Sequence, residues 1–347
     1  MQKKTLAVLF GGCSTEYEIS LESAHGVLKA IDQDRYQVIP VGITRQGAWY
    51  CYEGDWDAIA EDRWQEGPCV PAVISPDRLC RGLLILRPEG VETAALDGCL
   101  PILHGRNGED GTVQGLLELA GIPVVGCGTL ASALGMDKVR AHILAQAAGV
   151  PAPRSVVLEG PEELPLRLEE ARELGLPLFV KPVRSGSSFG ISRVCRWEDL
   201  PQAVEEAFRH DGRVMLEEAV EGAEVGCAVL GRRELTVGQV DLIQLAGGFF
   251  DFEEKYTLKT SRILMPAPIP EELARRVREL AGTVYRALDC AGFARVDFFL
   301  TPAGEVLFNE VNTIPGFTAH SRYPNMMKGI GLDFPALVAR LLEEGLA

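Results

Sequence analysis

The chain has 347 residues, of which 47% are hydrophobic and 24% charged, and its formal net charge is −15 at pH 7. The length predicts about two or three domains, and the composition is typical of a soluble globular protein. The negative charge argues against nucleic acid or an anionic membrane as a partner, and no apolar run could span a bilayer. The nine cysteines are scattered without a C-x-x-C pair, which indicates reduced thiols in a cytoplasmic protein.

The amino-terminal segment predicts a Rossmann-like, mostly parallel sheet. Thr5–Phe10 is an apolar run too short for a signal peptide, so we interpret it as a buried strand. A glycine-containing loop, an amphipathic helix at Ser20–Ile31 and a second strand at Tyr36–Ile43 complete a βαβ unit. Glu16, in the loop, is placed to meet a cation such as a substrate ammonium, and equally to cap the helix.

A histidine stands at the predicted edge of this sheet. After an uninformative segment at 44–90, interpreted as strands and short helices, Leu100–His104 predicts another buried strand. A polar glycine-rich loop, a helix at Thr112–Ala120 and a strand at Ile122–Val125 follow. His104 therefore lies where ligands bind in open α/β sheets, although a structural role is about equally expected.

Two lysines and a serine-rich loop are candidates for phosphate binding. A helix predicted at Ser132–Ala148 carries Lys138 near its start, and an apolar strand later delivers Lys181. The loop after Lys181 contains Ser187 and Ser188 and leads into another strand. Backbone N–H groups and hydroxyls beside a lysine can bind phosphate, but the spacing does not match G-x-x-x-x-G-K-[ST]. We predict a glycine-rich flap between two antiparallel strands.

Three further segments have recognisable patterns: a strand that ends in acids, a long loop and a carboxy-terminal helix. Met215–Val220 predicts a strand ending in acids, where an adenine amine and ribose hydroxyls could be bound. Gly248–Lys259 is a long polar and aromatic loop that could serve as a lid. Leu332–Leu346 predicts a closing amphipathic helix.

A β-hairpin near the carboxy terminus is the strongest candidate for a metal site. Phe293–Leu300 and Val306–Val311 alternate as strands around a Pro-Ala-Gly turn. Acids that interrupt apolar strands are costly unless they are paired, which favours hard Mg²⁺ ligands over a solvent-exposed face of paired charges. Alternation brings four polar side chains together, those of Arg295, Asp297, Glu310 and Asn312.

The order of these parts resembles the ATP-grasp enzymes, and five motifs spread over the whole chain resemble the D-alanine–D-alanine ligases. These motifs are Gly11-Gly12-x-Ser14-x-Glu16, His104-Gly105-x-x-Gly108-Glu109-Asp110-Gly111, Met136-Asp137-Lys138, Gly186-Ser187-Ser188-x-Gly190 and Asn309-Glu310-x-Asn312-Thr313-x-Pro315-Gly316. Three details are more similar to the D-alanine–D-serine ligases of the vancomycin-resistance branch. They are Arg184-Ser185, Glu254-Lys255-Tyr256-Thr257-Leu258-Lys259 and Ser321-Arg322-Tyr323-Pro324.

The resemblance implies an α/β and α+β fold in which a Rossmann-like domain precedes an ATP-grasp fold. The amino-terminal, D-alanine-binding domain is expected at residues 1–130. The central ATP-grasp subdomain with its Gly/Ser flap is expected at residues 131–214. Residues 215–347 are expected to form the carboxy-terminal ATP-grasp subdomain with the metal site and the lid loop.

The implied activity is ATP-dependent ligation of D-alanine to a second D-amino acid, with ADP and phosphate as the other products. The dipeptide D-Ala-D-X would form through a D-alanyl phosphate and serve peptidoglycan precursors, with D-serine slightly favoured over D-alanine as X. A housekeeping D-alanine–D-alanine ligase, another ligase of this fold and a catalytically inactive nucleotide-binding regulator stay open as alternatives. A homodimer is also implied.

The resemblance assigns the nucleotide and metal ligands residue by residue. ATP is expected on Lys138, Lys181, Ser187, Ser188, Glu217, Val220, Glu224 and Lys255. Two Mg²⁺ ions, replaceable by Mn²⁺, are expected on Asp297, Glu310 and Asn312.

The resemblance also assigns the amino acid sites and the catalytic groups. The first D-alanine is expected to meet Glu16 and His104, and the second amino acid is expected to meet Ser321 and Arg322. Arg295 and the Gly316 N–H would stabilise the tetrahedral oxyanion. Ser187 would close over the phosphoryl group, while Lys255 and Tyr256 would close the lid and exclude water.

Overall fold

The computed structural model of the protein describes residues 3–186, 190–245 and 261–346, and its strands form three sheets. The amino-terminal sheet consists of β1 (Lys4–Gly11), β2 (Tyr36–Ile43), β3 (Trp49–Tyr52), β4 (Cys69–Ile74), β5 (Gly82–Arg87), β6 (Gly90–Ala95) and β7 (Gly98–Pro101). The strand order is β6-β5-β4-β3-β2-β1-β7, and β1 is parallel to both β2 and β7. This arrangement confirms the predicted βαβ start.

The uninformative segment at 44–90 extends this sheet, because β3 to β6 continue it as antiparallel strands. Apolar side chains on both faces of β1 support the helices α1 (Tyr17–Ala30) and α3 (Thr112–Ala120), while α2 (Asp57–Ala60) is a single turn. Two predicted strands are shorter than expected. β7 ends at Pro101, so His104 lies beyond the strand, and the predicted strand at Ile122–Val125 is reduced to one bridge between Cys99 and Val124.

The predicted helix at Ser132–Ala148 is wrong as a continuous element, because it divides into α4 (Thr129–Met136) and α5 (Lys138–Ala147). Asp137 between them has extended backbone angles of φ −84° and ψ 96°. Its carboxylate accepts a hydrogen bond from the backbone N–H of Arg140 at 3.0 Å. An aspartate that caps a new helix amino terminus competes with helix continuation. The break makes Lys138 the first residue of α5.

The middle sheet consists of β8 (Ser155–Leu158), β9 (Leu178–Pro182), β10 (Ser192–Val194) and β11 (Val214–Glu218) in the order β10-β9-β11-β8. Helices α6 (Leu168–Leu174) and α7 (Leu200–Phe208) pack on it. β9 and β10 are antiparallel and flank the Gly/Ser segment, as predicted for a flap. β11 ends two residues before Val220, so the predicted strand is shortened. β11 also lies in the middle sheet although the predicted boundary at 214/215 divides it, and the three domain ranges stay predictions.

The third sheet has the order β14-β13-β12-β15-β16 and is antiparallel throughout. Its strands are β12 (Ala223–Gly231), β13 (Leu235–Leu245), β14 (Ser261–Leu264), β15 (Phe293–Leu300) and β16 (Val306–Asn312). The long helix α8 (Glu271–Ala287) buries Ala274, Val277, Ala281 and Val284 at helical spacing against one face of this sheet. Val296 and Phe298 of β15 pack in the same cluster as α8, so Asp297 between them projects to the opposite face of the sheet.

Two short helices close the chain. They are α9 (Arg322–Lys328) and α10 (Phe334–Gly345), and α10 starts two residues later than predicted because the Asp333 carboxylate caps it. No helix in the described ranges is long and apolar enough to cross a lipid bilayer. All nine cysteines are free thiols. The predicted lid loop, with Lys255 and Tyr256, lies outside the described residues, as do Ser187 and Ser188 of the flap.

Candidate active site

A row of polar positions crosses the face of the third sheet that α8 leaves uncovered. Asp297 is the cross-strand partner of Glu310 on one side and of Gly226 on the other, and Gly226 is in turn the partner of Asp241. Cross-strand partners project their side chains to the same face of a sheet. Four neighbouring strands therefore carry a row of two buried aspartates, a glutamate and a glycine. The glycine leaves space on this face because it has no side chain. The predicted pairing of Asp297 with Glu310 through the hairpin is confirmed.

The Asp297 carboxylate is completely buried and is surrounded by donors. Arg295 Nε lies 2.9 Å from Asp297 Oδ1, Arg295 Nη2 lies 2.7 Å from Oδ2, and the Asn312 side-chain amide lies 3.0 Å from Oδ2. Burial alone would raise the Asp297 pKa, but the guanidinium groups of Arg295 and Arg322 outweigh it and hold the pKa below its ordinary value. Asp297 is thus kept ionised, as a metal ligand must be.

Arg322 is also buried in this cluster. Its Nε and Nη2 atoms form a two-point pair with Asp241 at 2.7 and 2.8 Å. Nη1 lies 3.3 Å from Glu224 Oε1, and Nη2 lies 3.4 Å from Asp297 Oδ1. The guanidinium lies over Gly226, where an added Cβ would stand against Arg322 Nη2 and only 2.7 Å from Asp297 Oδ1. Gly226 is therefore required for space.

The residues predicted to bind metal fit Mg²⁺ by their chemistry. Asp297, Glu310 and Asn312 offer two carboxylates and a carboxamide oxygen, which are hard oxygen ligands. In the described ranges no three His, Cys, Asp or Glu side chains form a cluster that could hold a metal. The Asn312 carboxamide is the third candidate donor, and its Nδ2 atom donates to Asp297 Oδ2 at 3.0 Å, which leaves its oxygen for a metal. This donor set is suited to a Mg²⁺ ion that keeps part of its coordination shell for substrate oxygens.

A cleft opens beside this row and collects most of the predicted site residues that the structure describes. It lies between the loops of the amino-terminal sheet and the third sheet, and Met136, Ser185 and Gly186 contribute to its wall. Its lining includes nine predicted residues, namely Glu16, His104, Lys138, Arg295, Glu310, Asn312, Gly316, Ser321 and Arg322.

The amino-terminal end of the cleft is made of buried polar groups. Glu16 and His104 are buried, and Glu109 lies beside them. Burial and the neighbouring Glu16 carboxylate raise the pKa of Glu109 to about 8. Burial lowers the His104 pKa, so the ring is neutral at pH 7. His104 Nδ1 lies 2.7 Å from the carbonyl oxygen of Ile314, which identifies Nδ1 as the protonated nitrogen.

The two candidate phosphate-binding lysines are held differently. Lys138 Nζ donates to the carbonyl oxygen of Ser185 at 2.7 Å, so it reaches the base of the Gly/Ser flap. Lys181 on β9 forms a buried ion pair with Glu217 on β11. The second carboxylate oxygen of Glu217, Oε2, is buried and has no hydrogen-bond partner among the described residues. A buried acceptor without a donor is costly unless a ligand supplies one.

Three residues of this site carried signals that local sequence reasoning missed. Asp241 interrupts an apolar strand, the same signal that identified Asp297, but no neighbouring motif drew attention to it. Gly226 stands in the middle of a strand, where glycine often marks a close approach of other groups. Glu109 was noted only as part of a motif. Of the remaining predicted residues, Glu224 contacts Arg322, and Val220 follows β11.

Comparison with known proteins identifies relatives over the whole chain. A family model described as the D-ala D-ala ligase N-terminus matches residues 5–127, and one described as the D-ala D-ala ligase C-terminus matches residues 144–343. A putative D-alanine–D-lactate ligase from Streptomyces coelicolor is 46% identical over 347 residues, covering 99% of this chain and 97% of the relative. A D-alanine–D-alanine ligase from Caldicellulosiruptor bescii is 42% identical over 348 residues, covering 99% of this chain and 95% of the relative.

A solved structure gives the same result in three dimensions. The crystal structure of the VanG D-Ala:D-Ser ligase from Enterococcus faecalis superposes with a TM-score of 0.92 at 53% identity, covering 99% of both chains. The names of these three relatives share D-alanine and differ in the second substrate. The chain therefore belongs to the D-alanine–D-alanine ligase family, whose members are ATP-dependent ligases with an ATP-grasp fold.

Proposed function

We propose that the protein joins D-alanine to a second D-amino acid at the expense of ATP, forming D-Ala-D-X with D-serine favoured as X. The observation that carries this proposal is the shared cleft, which is lined by an acid for an ammonium group, Glu16, and by a lysine for phosphate, Lys138. The same cleft is lined by the metal candidate Glu310 and by Arg295. A carboxylate, a phosphoryl donor and an amine can therefore meet within one enclosed space.

In the first step, the carboxylate of D-alanine attacks the terminal phosphorus of ATP, and ADP leaves. Glu16 pairs with the ammonium group of this D-alanine and orients it. Lys138 and Lys181 bind the nucleotide phosphates, and the unsatisfied Glu217 Oε2 accepts a hydrogen bond from the adenine amine. We expect Ser187 and Ser188 to cover the phosphoryl group and Val220 and Glu224 to border the adenine and the ribose.

Asp297, Glu310 and Asn312 are proposed to hold two Mg²⁺ ions, for which Mn²⁺ could substitute. The ions supply positive charge that neutralises the phosphate oxygens during transfer. The ionised state of Asp297 and the hard donor set support this assignment.

In the second step, the amine of the second amino acid, after losing its proton, attacks the acyl carbon, and inorganic phosphate leaves. Negative charge then develops on the former carbonyl oxygen. Arg295 and the Gly316 N–H line the cleft as donors for this oxyanion, a role typically worth about 3–4 kcal/mol per donor. Lys255 and Tyr256 are proposed to close the lid, so that water does not hydrolyse the acyl phosphate.

The preference for D-serine rests on the environment of Arg322. A purely apolar pocket rejects an added hydroxyl only weakly, whereas a pocket with a fixed hydrogen-bonding group can favour the hydroxyl strongly. Asp241 holds the guanidinium of Arg322 in one orientation, and Arg322 lines the cleft next to Ser321. These two residues are proposed to receive the second amino acid, and the held guanidinium supports recognition of a hydroxyl group.

The test is product analysis with ATP, Mg²⁺ and equal concentrations of D-alanine and D-serine, followed by ADP release. We expect both dipeptides, with D-alanyl-D-serine in excess. D-Alanyl-D-alanine alone would identify a housekeeping ligase, and an incubation with D-lactate would reveal an ester-forming acceptor specificity. A chain that hydrolyses no ATP with D-alanine would instead be a nucleotide-binding regulator. We also propose a homodimer, which light scattering after gel filtration tests.

A further inference from the structure

The turn at 313–317 leaves β16 and carries Gly316, yet it is fastened to the amino-terminal part of the chain. Three side chains from that part bind its backbone, and all three are at least partly buried. They belong to Ser23, His104 and Glu109. The contacts connect residues 205 to 294 positions apart in sequence. The turn is thus held by a part of the chain that is distant in sequence from the strand that it follows.

Glu109 joins the turn to the loop around Gly105, which lies beside Glu16 and hence beside the proposed site of the first D-alanine. Its Oε1 atom accepts the backbone N–H of Ile314 at 2.9 Å, and its Oε2 atom accepts the backbone N–H of Gly105 at 2.8 Å. An added Cβ on Gly105 would lie 2.7 Å from Glu16 Oε2, so the loop held by Glu109 also packs directly against Glu16. One carboxyl group therefore links the ammonium end of the cleft to the turn.

Ser23 provides a second anchor on the other side of Gly316. Its Oγ accepts the backbone N–H of Phe317 at 3.1 Å and lies 3.3 Å from His104 Nε2. Because Nδ1 of the neutral His104 donates to the Ile314 carbonyl, Nε2 is the acceptor and Ser23 donates to it. The hydroxyl of Ser23 is completely buried and uses both its donor and an acceptor site.

The two anchor points leave little freedom between them. Ile314 is held through its N–H and its carbonyl, Phe317 is held through its N–H, and only two residues separate them. One of the two is Pro315, whose ring fixes φ. The other is Gly316, whose N–H is the proposed oxyanion donor.

We propose that Glu109 and Ser23 are positioning residues that aim the Gly316 N–H at the oxyanion of the second step. This inference rests on the proposed function. A donor that is misplaced by a fraction of an ångström loses its differential stabilisation of the transition state. Loss of either anchor therefore slows acyl transfer to the amine more than formation of the acyl phosphate.

The experiment uses Ser23→Ala and Glu109→Gln in the full chain. Alanine removes both hydrogen bonds of Ser23, and glutamine can accept only one of the two backbone N–H groups. The first step is followed by scrambling of a bridging ¹⁸O label in ATP, which requires reversible phosphoryl transfer to D-alanine. The second step is followed by dipeptide formation. We expect dipeptide kcat to fall about 10- to 100-fold, and the ratio of isotope exchange to product to rise.

Two matched variants control for the substitutions themselves. Ser132→Ala removes a completely buried hydroxyl that has no hydrogen-bond partner among the described residues, and Glu118→Gln alters an acid that accepts the backbone N–H of Thr129 on the surface. Both should leave the ratio unchanged. Equal losses of exchange and product in Ser23→Ala and Glu109→Gln overturn the inference while the proposed function stands. Absence of D-alanine-dependent exchange and product in the unaltered protein overturns the proposed function itself. If Ser23→Ala fails to fold by thermal melting, Glu109→Gln decides.

Discussion

Arg322 and Asp241 form a buried two-point ion pair, with the guanidinium Nε and Nη2 atoms 2.7 and 2.8 Å from the two carboxylate oxygens. The pair joins helix α9 to strand β13 across 81 residues of sequence. A guanidinium held in this way is a fixed group at the wall of the cleft. It also compensates a carboxylate that is completely buried.

Arg322→Leu should therefore have two effects. It leaves Asp241 buried without its partner, which costs about 3–5 kcal/mol of unfolding free energy. It should also shift the product ratio toward D-alanyl-D-alanine in an equal mixture of D-alanine and D-serine. Denaturant unfolding and product analysis measure the two effects. Adding Asp241→Leu should restore part of the stability but not the preference for D-serine, and restoration of both would assign Arg322 a structural role only.

Glu310→Gln tests the metal site. The substitution removes a ligand charge while preserving shape, so turnover at saturating Mg²⁺ should be nearly abolished. The pKa of Asp297 is lowered by Arg295 and Arg322, and the carboxylate of its cross-strand partner Glu310 opposes this lowering by repulsion. Loss of the Glu310 charge relieves that repulsion, so stability should be unchanged or higher. Thermal melting and ADP release measure both effects. Near-normal turnover would remove Glu310 from the site.

Glu16→Gln tests the first-substrate end of the cleft. A charge-assisted hydrogen bond to an ammonium group is worth about 1.5–3 kcal/mol, so the KM for the first D-alanine should rise roughly 10- to 100-fold. The KM for ATP should change little, because the nucleotide meets other residues. Initial-rate kinetics with each substrate varied separately measure this. An unaltered D-alanine profile would restrict Glu16 to a structural role at the start of α1.

Gly226→Ala tests the packing of the ion cluster. The added methyl group would press against Arg322 and lie 2.7 and 3.0 Å from carboxylate oxygens of Asp297 and Asp241. Overpacking of this kind costs about 1–3 kcal/mol, and displacement of Arg322 should reduce activity as well. Gly212→Ala is the control, because nothing lies within 4 Å of the added Cβ there. Equal stability and activity of the two variants would contradict the described cluster.

The raised pKa of Glu109 predicts a pH dependence of stability. The folded protein retains this proton up to about pH 8, whereas the unfolded chain releases it near its ordinary value of 4.5. Between these values the folded state binds more protons than the unfolded state, so the contribution of Glu109 to stability decreases as pH rises. Melting temperatures from pH 5 to 8 should fall more steeply for the unaltered protein than for Glu109→Gln. Parallel curves would show that Glu109 titrates normally.

The local parts of the site follow from residues that are close together in the chain. A period of two along Phe293–Leu300 and Val306–Val311, together with a short turn, predicts a hairpin and the faces of its polar residues. The register next to the turn would by itself pair Asp297 with Asn309, and a bulge between Asp297 and Phe298 shifts the pairing so that Glu310 lies opposite Asp297. The βαβ start and the paired strands around the flap were predictable for the same reason, since each depends on residues close together in the chain.

Contacts between groups that are distant in the chain depend on how the elements pack. The capping of α5 by Asp137 divides a segment whose apolar pattern predicted one helix, because a side-chain hydrogen bond replaced helix continuation there. The contact of Glu109 with Ile314 and the pairing of Arg322 with Asp241 link residues 205 and 81 positions apart. No local periodicity encodes such contacts, because they form where different layers of the fold pack together and their buried polar groups require partners. The packing of the amino-terminal loops against the third sheet therefore determines how the ends of the cleft are connected.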